Sequence, residues 1–436
     1  MLSAIAAKWA TVRILKFQLK KSKGVNLEMF LRFMSNRRLS IRNIKVTRNA
    51  LHLFLVISIT FLSIVSVSAA SVDPKTAAKA EAKNQIANLI NSGYGPYYDI
   101  LNLEMDITKV EENNNKIDVY ALAKIKKVLK AKKVSELPYV KGMLKAVNLD
   151  DIDKDSAENT MKQIKASVNT KLNDERIERA AKLLQFKVRD LEQYIGQPQD
   201  GSLIFKYSVT KTSNGIDRDS GVLYAEDGIG NYFPAKNILP KSSTELESDG
   251  AKEIKDVING ETLSASVTSL YPGYDRLRAR DYANQYTSTA TTYCPHNKAQ
   301  QNTAYWNTGT YPAYLYNFCH NDCADYVSQG LNYGGIPKEA GVWTRTSADK
   351  SWTYAWQNVR GLKDYMYDTK GYWTPSTYTS ASAGGVRLWK TADGVYYHIA
   401  MIVQNDTVTR KFSAHTYDRK QYDYSNESYR EYYILW

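Results

Sequence analysis

Two periods of apolar residues alternate along the chain. Ala80–Leu89 has helical text that closes at Ser92-Gly93. Met105–Val110 and Ile117–Ile125 then alternate with period two, and Ile117, Val119, Ala121, Ala123 and Ile125 share one face. The Asn113-Asn114-Asn115 run between them predicts a hairpin. Met161, Ile164, Val168 and Leu172 return to helical spacing, and a second stripe runs from Ile177 through Leu184 to Leu191 until Gly196 and Pro198 stop it. Short alternating segments at Leu203–Val209 and Val222–Tyr224 follow. Pro240–Gly250 is polar and Ser-rich, which suits a linker.

Beyond Tyr271 the pattern changes. Ala279, Tyr282, Ala283 and Tyr286 mark one buried face of a helix. Asn321 or Asp322 is placed to cap a further helix that carries Cys323 in its first turn and ends at Gly334-Gly335. Gly384–Trp389, His398–Val403 and Val408–Thr416 are short apolar runs separated by Asp393-Gly394 and Asn405-Asp406, the signature of an antiparallel meander. The predicted class is α+β, with an N-terminal extension at 1–70, an α+β domain at 71–239, a linker at 240–270 and a second α+β domain at 271–436.

Aromatic content sharpens that division, because 24 of the 33 Tyr and all Trp except Trp9 follow residue 270. Charge changes the picture differently. The net charge of +13 is concentrated in residues 1–70, which contribute +11, so the remainder is nearly neutral and has no broad basic face for nucleic acid. Arg37, Arg38, Arg42, Lys45 and Arg48 precede the apolar run Leu51–Val65 and the small residues Val67-Ser-Ala-Ala70. This is the layout of an export signal, with cleavage after Ala69 or Ala70, and with membrane attachment only if the signal stays uncleaved. Residues ahead of Met29 or Met34 sit outside any signal of ordinary length.

Candidate chemistry comes from the cysteines. There are only three, Cys294, Cys319 and Cys323, and an odd number outside the cytoplasm leaves one thiol over. At a helix N-terminus, Cys323 has the dipole and free backbone N–H groups that favour a thiolate and a developing oxyanion. The bland reading is a small buried core cysteine. A thiol nucleophile needs an imidazole and a third group to orient it. Of the four histidines after residue 70, His398 and His415 lie on adjacent predicted strands. Cys294, His296, Cys319, His320 and Cys323 could instead ligate zinc, but their spacing matches no paired C-x₂-C pattern. A Cys294–Cys319 disulfide that leaves Cys323 free is the alternative, and no metal or organic cofactor is expected. Trp343, Trp352, Trp356 and Trp373 suit core anchors, with a substrate cleft as the other reading.

At these residues a resemblance emerges. The runs N-D-C-A-D-Y-V-S-Q at 321–329, G-G-I-P at 334–337, S-W-T at 351–353, G-Y-W at 371–373, H-I-A-M-I-V at 398–403 and H-T-Y-D-R at 415–419 resemble the putative amidase domain family of secreted bacterial proteins. That family is similar in layout to NlpC-type and CHAP-type papain-like hydrolases. The resemblance implies Cys323 as nucleophile, His398 as base and His415 as the orienting third residue, with Asp418 as the substitute. It implies a secreted cysteine amidase acting on peptide or peptidoglycan-type amides. Acyl transfer by the same residues, and a non-catalytic surface module with an inert Cys323, are the alternatives.

Overall fold

The computed structural model describes residues 73–435 apart from 153–154, 168–173, 261–272, 295–298, 309, 311–320 and 346–352. The export signal, Val168, Leu172, His296, Cys319, His320 and Trp352 therefore lie outside the described residues. No helix among the described residues is long and apolar enough to cross a membrane.

Helix α1 (Pro74–Tyr94) opens on Asp73, whose side chain accepts the Thr76 N–H. Strands β1 (Tyr98–Asn113) and β2 (Lys116–Leu129) form the predicted antiparallel hairpin. Its turn is possible because Asn114 adopts φ +54°, a left-handed conformation that asparagine tolerates. Helices α2 (Pro138–Ala146), α3 (Ala157–Ser167) and α4 (Asp174–Glu192) come next. They are followed by β3 (Gln199–Thr212), β4 (Gly215–Glu226) and the short β5 (Tyr232–Pro234).

The segment read as a linker folds differently. Helix α5 (Ser243–Asn259) begins there with a reciprocal capping box between Ser242 and Glu245 and ends on Gly260 at φ +74°. The Ser-x-x-Glu spacing was legible, but the polar composition around it masked the helix. Leu246, Ile254 and Val257 are buried, so α5 belongs to the core.

Helices α6 (Arg276–Gln285) and α7 (Cys323–Tyr333) and the short α8 (Tyr354–Gln357) and α9 (Val359–Lys363) open the second half. Strands β6 (Thr374–Ser376), β7 (Val386–Lys390), β8 (Tyr396–Asn405), β9 (Arg410–Ala414), β10 (Arg419–Asp423) and β11 (Arg430–Ile434) complete it. The strands join in the order β1-β2-β3-β10-β9-β8-β7-β11-β6, with β4 and β5 branching from β3. The architecture is thus α+β.

Residues 71–436 form one compact unit, in place of two domains separated by a linker. The physical reason is the seam where β10 runs parallel to β3 through Tyr422 and Ser202. The Ile204 N–H donates to the Tyr422 hydroxyl at 3.0 Å, and that hydroxyl donates to the Glu226 carbonyl at 3.2 Å. Arg419 and Glu226 form an ion pair in which both side chains are fully buried. Nearby, the Tyr94 and Tyr98 hydroxyls donate to Asp423 and Asp406 at 2.8 and 2.7 Å. One apolar core includes Ile86, Leu184 and Phe205 from the first half together with Trp389, Ile402 and Phe412 from the second.

A shared core makes the two halves unfold together. Tryptophan fluorescence, which reports only on the second half once the first 70 residues are removed, should give the same denaturation midpoint as far-ultraviolet circular dichroism. Two separated transitions would show independent domains instead. Glu226→Ala, which strands the buried Arg419 charge, should lower stability by about 3–5 kcal/mol in the same single transition.

Candidate active site

Helix α7 is buried from Cys323 to Leu331, and the polar face of Asp325, Ser328 and Gln329 is buried with it because each of these side chains finds a hydrogen-bond partner. Gly330 allows its approach to β8, because a Cβ there would lie 2.9 Å from the Met401 methyl carbon. The Ser328 hydroxyl donates to the Trp356 carbonyl at 2.8 Å, and Tyr282 donates to Gln329 at 2.6 Å. These contacts fix the middle of the helix, whose first turn carries Cys323. Trp343, Trp356 and Trp373 are all core residues.

Two opposing influences act on the Cys323 thiol. Burial pushes it up to about 11, although the backbone N–H groups of Ile399, Ala324 and Cys323 itself favour the thiolate. Burial therefore outweighs the helix N-terminus, opposite to the sequence expectation of a depressed thiol. Cys323 is free, whereas Cys294 is disulfide-bonded; Cys319, the expected partner, lies outside the described residues.

His415 follows β9 and packs against the Cys323 turn. Its ring lies between Trp306, at 4.3 Å, and Tyr326 of α7, at 3.9 Å. Nε2 lies 2.6 Å from the Tyr286 carbonyl oxygen, and Nδ1 lies 2.8 Å from Asp322 Oδ2. A carbonyl only accepts, so Nε2 carries a proton and Nδ1 faces the carboxyl. Burial lowers the pKa of His415. It raises that of Asp322 to about 7, although a hydrogen bond from Asp325 works against the rise. Asp325 is pushed up further, to about 8, by burial and then by the Asp322 charge. It also bonds Arg345 and the Trp356 indole N–H. The two carboxyls share a hydrogen bond, so one must hold a proton.

The loop geometry supports this pairing. Thr416 adopts φ +78°, a strained conformation for a β-branched residue that costs on the order of 1–3 kcal/mol. Its hydroxyl accepts the Asp322 N–H at 2.9 Å, tying the His415 loop to the start of α7. Asp418 touches neither ring nitrogen of His415. Its carboxylate accepts from Asn302 N and Trp306 Nε1, each at 2.8 Å, and so holds the indole that stacks on His415.

His398 is directed elsewhere. It pairs with Trp389 across β7 and β8, while Ile399 pairs with Leu388. Side chains alternate between faces along a strand. Ile399 and Met401 join the Cys323 core, whereas Ala400 and Ile402 join the other core with Trp389. The His398 ring meets Trp389 edge-on at 4.7 Å, on the face opposite Cys323. Strand alternation thus puts His398 on the side of β8 opposite Ile399 and Met401, which pack with Cys323. Burial, then the charges of Arg387, Arg419 and Arg430, lower the pKa of His398 to about 3, and its Nε2 has no hydrogen-bond partner.

A cavity of about 710 Å³ adjoins this end of the sheet, lined in part by Asn231, Asn321, His398, Thr416, Tyr417 and Arg430. No group of three or more His, Cys, Asp or Glu among the described residues could hold a metal ion. Sequence reasoning missed Asp322 as the imidazole partner and Asp325 behind it. Their three-residue spacing at a helix start was the available signal, since residues so spaced meet on one face.

Among curated proteins and among solved structures, nothing matches the chain. Residues 273–435 match the family model described as Putative amidase domain, a family-level likeness to amide-bond hydrolases.

Proposed function

We propose that the segment hydrolyses amide bonds through Cys323, with His415 as the imidazole that takes its proton. The carrying observation is that one helix start brings together a free thiol, whose charged form the backbone N–H groups of Ile399, Ala324 and Cys323 favour, and a buried imidazole that faces Asp322 and whose far nitrogen is held by the Tyr286 carbonyl. That carbonyl fixes the tautomer that leaves Nδ1 able to accept a proton. Because the resting thiol is protonated at neutral pH, its proton leaves as the S–C bond forms, with Nδ1 released from Asp322 to accept it. The protonated ring then gives its proton to the departing amine, and water cleaves the thioester. His398 serves as a neutral group of the adjoining cavity.

The export-signal pattern and the resemblance support an extracytoplasmic location and amides of cell-wall peptides as substrates. Acyl transfer to an amine uses the same steps, with an amine replacing water. The thiol pushed up to about 11 favours one further reading, an inert buried cysteine in an interaction module. Mass spectra of purified cell-wall fragments incubated with the protein separate the three, since hydrolysis, transfer and inertness give different masses.

Cys323→Ala should abolish turnover, and His415→Ala should reduce it by about 10²- to 10⁴-fold. His398→Gln should cost far less than His415→Ala. The reverse order would return the base to His398 and reject the present assignment, provided circular dichroism shows each variant folded.

Acid stability offers an independent check on His398. Its folded pKa of about 3 lies below the unfolded value of 6.5, so the unfolded chain binds more protons between these limits. Stability contributed by the neutral ring is present above pH 6.5 and is lost as pH falls towards 3, at up to about 1.4 kcal/mol per pH unit. Urea denaturation from pH 7 to 4 should show a shallower slope for His398→Gln than for the wild type. Equal slopes would mean that the ring is solvated.

A further inference from the structure

The first half of the chain reaches the cavity through the turn between β4 and β5. Asp227 builds this turn, its Oδ1 accepting from the N–H groups of Ile229 and Asn231 at 3.0 and 3.1 Å. Its Oδ2 accepts from the Asn231 side-chain amide at 2.9 Å. Gly228 and Gly230 adopt φ +91° and +92°, which other residues rarely do.

The turn is fastened to the second half. Glu226 pairs with Arg419 inside the seam, and Asp227 lies 3.7 Å from Arg430. A Cβ at Gly228 would lie 2.3 Å from the Phe412 ring of β9, so the backbone rests against that strand. Ile229 and Asn231 are thereby held at the cavity of about 710 Å³. Asn321 and Thr416 line the same cavity, the first two residues before Cys323 and the second next to His415. Its size falls in the range of ligand clefts, roughly 300–1,000 Å³. Asn, Thr and Tyr side chains supply neutral donors and acceptors suited to peptide N–H and C=O groups.

We propose that the 227–231 turn is a substrate-recognition element, through which the first half of the chain helps select the peptide that the Cys323 site cleaves. This rests on the reading of Cys323 as an amide-hydrolysing nucleophile. The first half is then part of the enzyme's specificity. A peptide long enough to pass from the Cys323 turn to Asn231 is held at both ends, whereas a short amide engages only the thiol end.

The test compares muramidase-solubilised cell-wall peptide fragments with a short acyl-anilide. Asn231 is exposed, so Asn231→Trp can be accommodated by the fold while obstructing the cavity. Asn231→Trp should raise KM for the fragments at least tenfold more than for the anilide, and Asn231→Ala should shift it in the same direction by less. Binding of the fragments to Cys323→Ala protein, measured by calorimetry, should weaken at least tenfold when Asn231→Trp is added. Equal effects on both substrates, unaltered fragment binding, or no fragment binding by Cys323→Ala protein would overturn the proposal. Asn231-dependent binding by a wild-type protein that cleaves neither substrate would uphold the recognition turn while rejecting the nucleophile.

Discussion

Every strand of the central sheet must send alternate side chains to opposite faces, and both faces of β8 are buried. Ile399, Met401 and Val403 pack with the helix bearing Cys323, while Ala400 and Ile402 pack with the core shared by both halves. A one-residue slip would exchange the two sets and leave each facing the wrong partners. The same alternation puts His398 on the face of β8 opposite Ile399 and Met401. His415, beyond the end of β9, escapes this constraint and reaches the start of the helix from a loop.

Burial governs the chemistry of the site as well as its shape. It disfavours the charged forms of Cys323, Asp322, Asp325 and His415 at once. The site is accordingly organised around shared protons more than around fixed charges, apart from Arg345 beside Asp325. A neutral thiol and a neutral imidazole at one helix start are the species that proton transfer accompanying bond formation would require. Tyr286, Thr416, Trp306 and Asp418 contribute by limiting the positions available to the His415 ring and its loop.

The seam between β3 and β10 explains why the chain cannot be read as a catalytic domain with an attached spacer. Arg419 follows the H-T-Y-D run and is paired with Glu226, nearly two hundred residues earlier. The strand that follows the site's loop is therefore anchored by a residue from the first half. The same connection holds the Asp227–Asn231 turn against the cavity.

Local pattern sufficed for much of this. Period-two alternation predicted the hairpin before and after Asn114 and the β7–β8–β9 meander, and the stripe from Ala279 to Ala283 predicted helix α6. A cysteine next to a capping position gave the helix start at Cys323. Each of these depends on neighbours within a few residues, which sequence periodicity reports directly. Tertiary structure decided which strand face meets which helix, and that His415 meets Asp322 at the start of the helix bearing Cys323. It also decided that burial outweighs the helix dipole at the thiol, and that Ser243–Asn259 packs as a helix in the core. These outcomes depend on desolvation and on pairings between residues far apart in the chain, such as Arg419 with Glu226 and His415 with Asp322, and no local spacing encodes them.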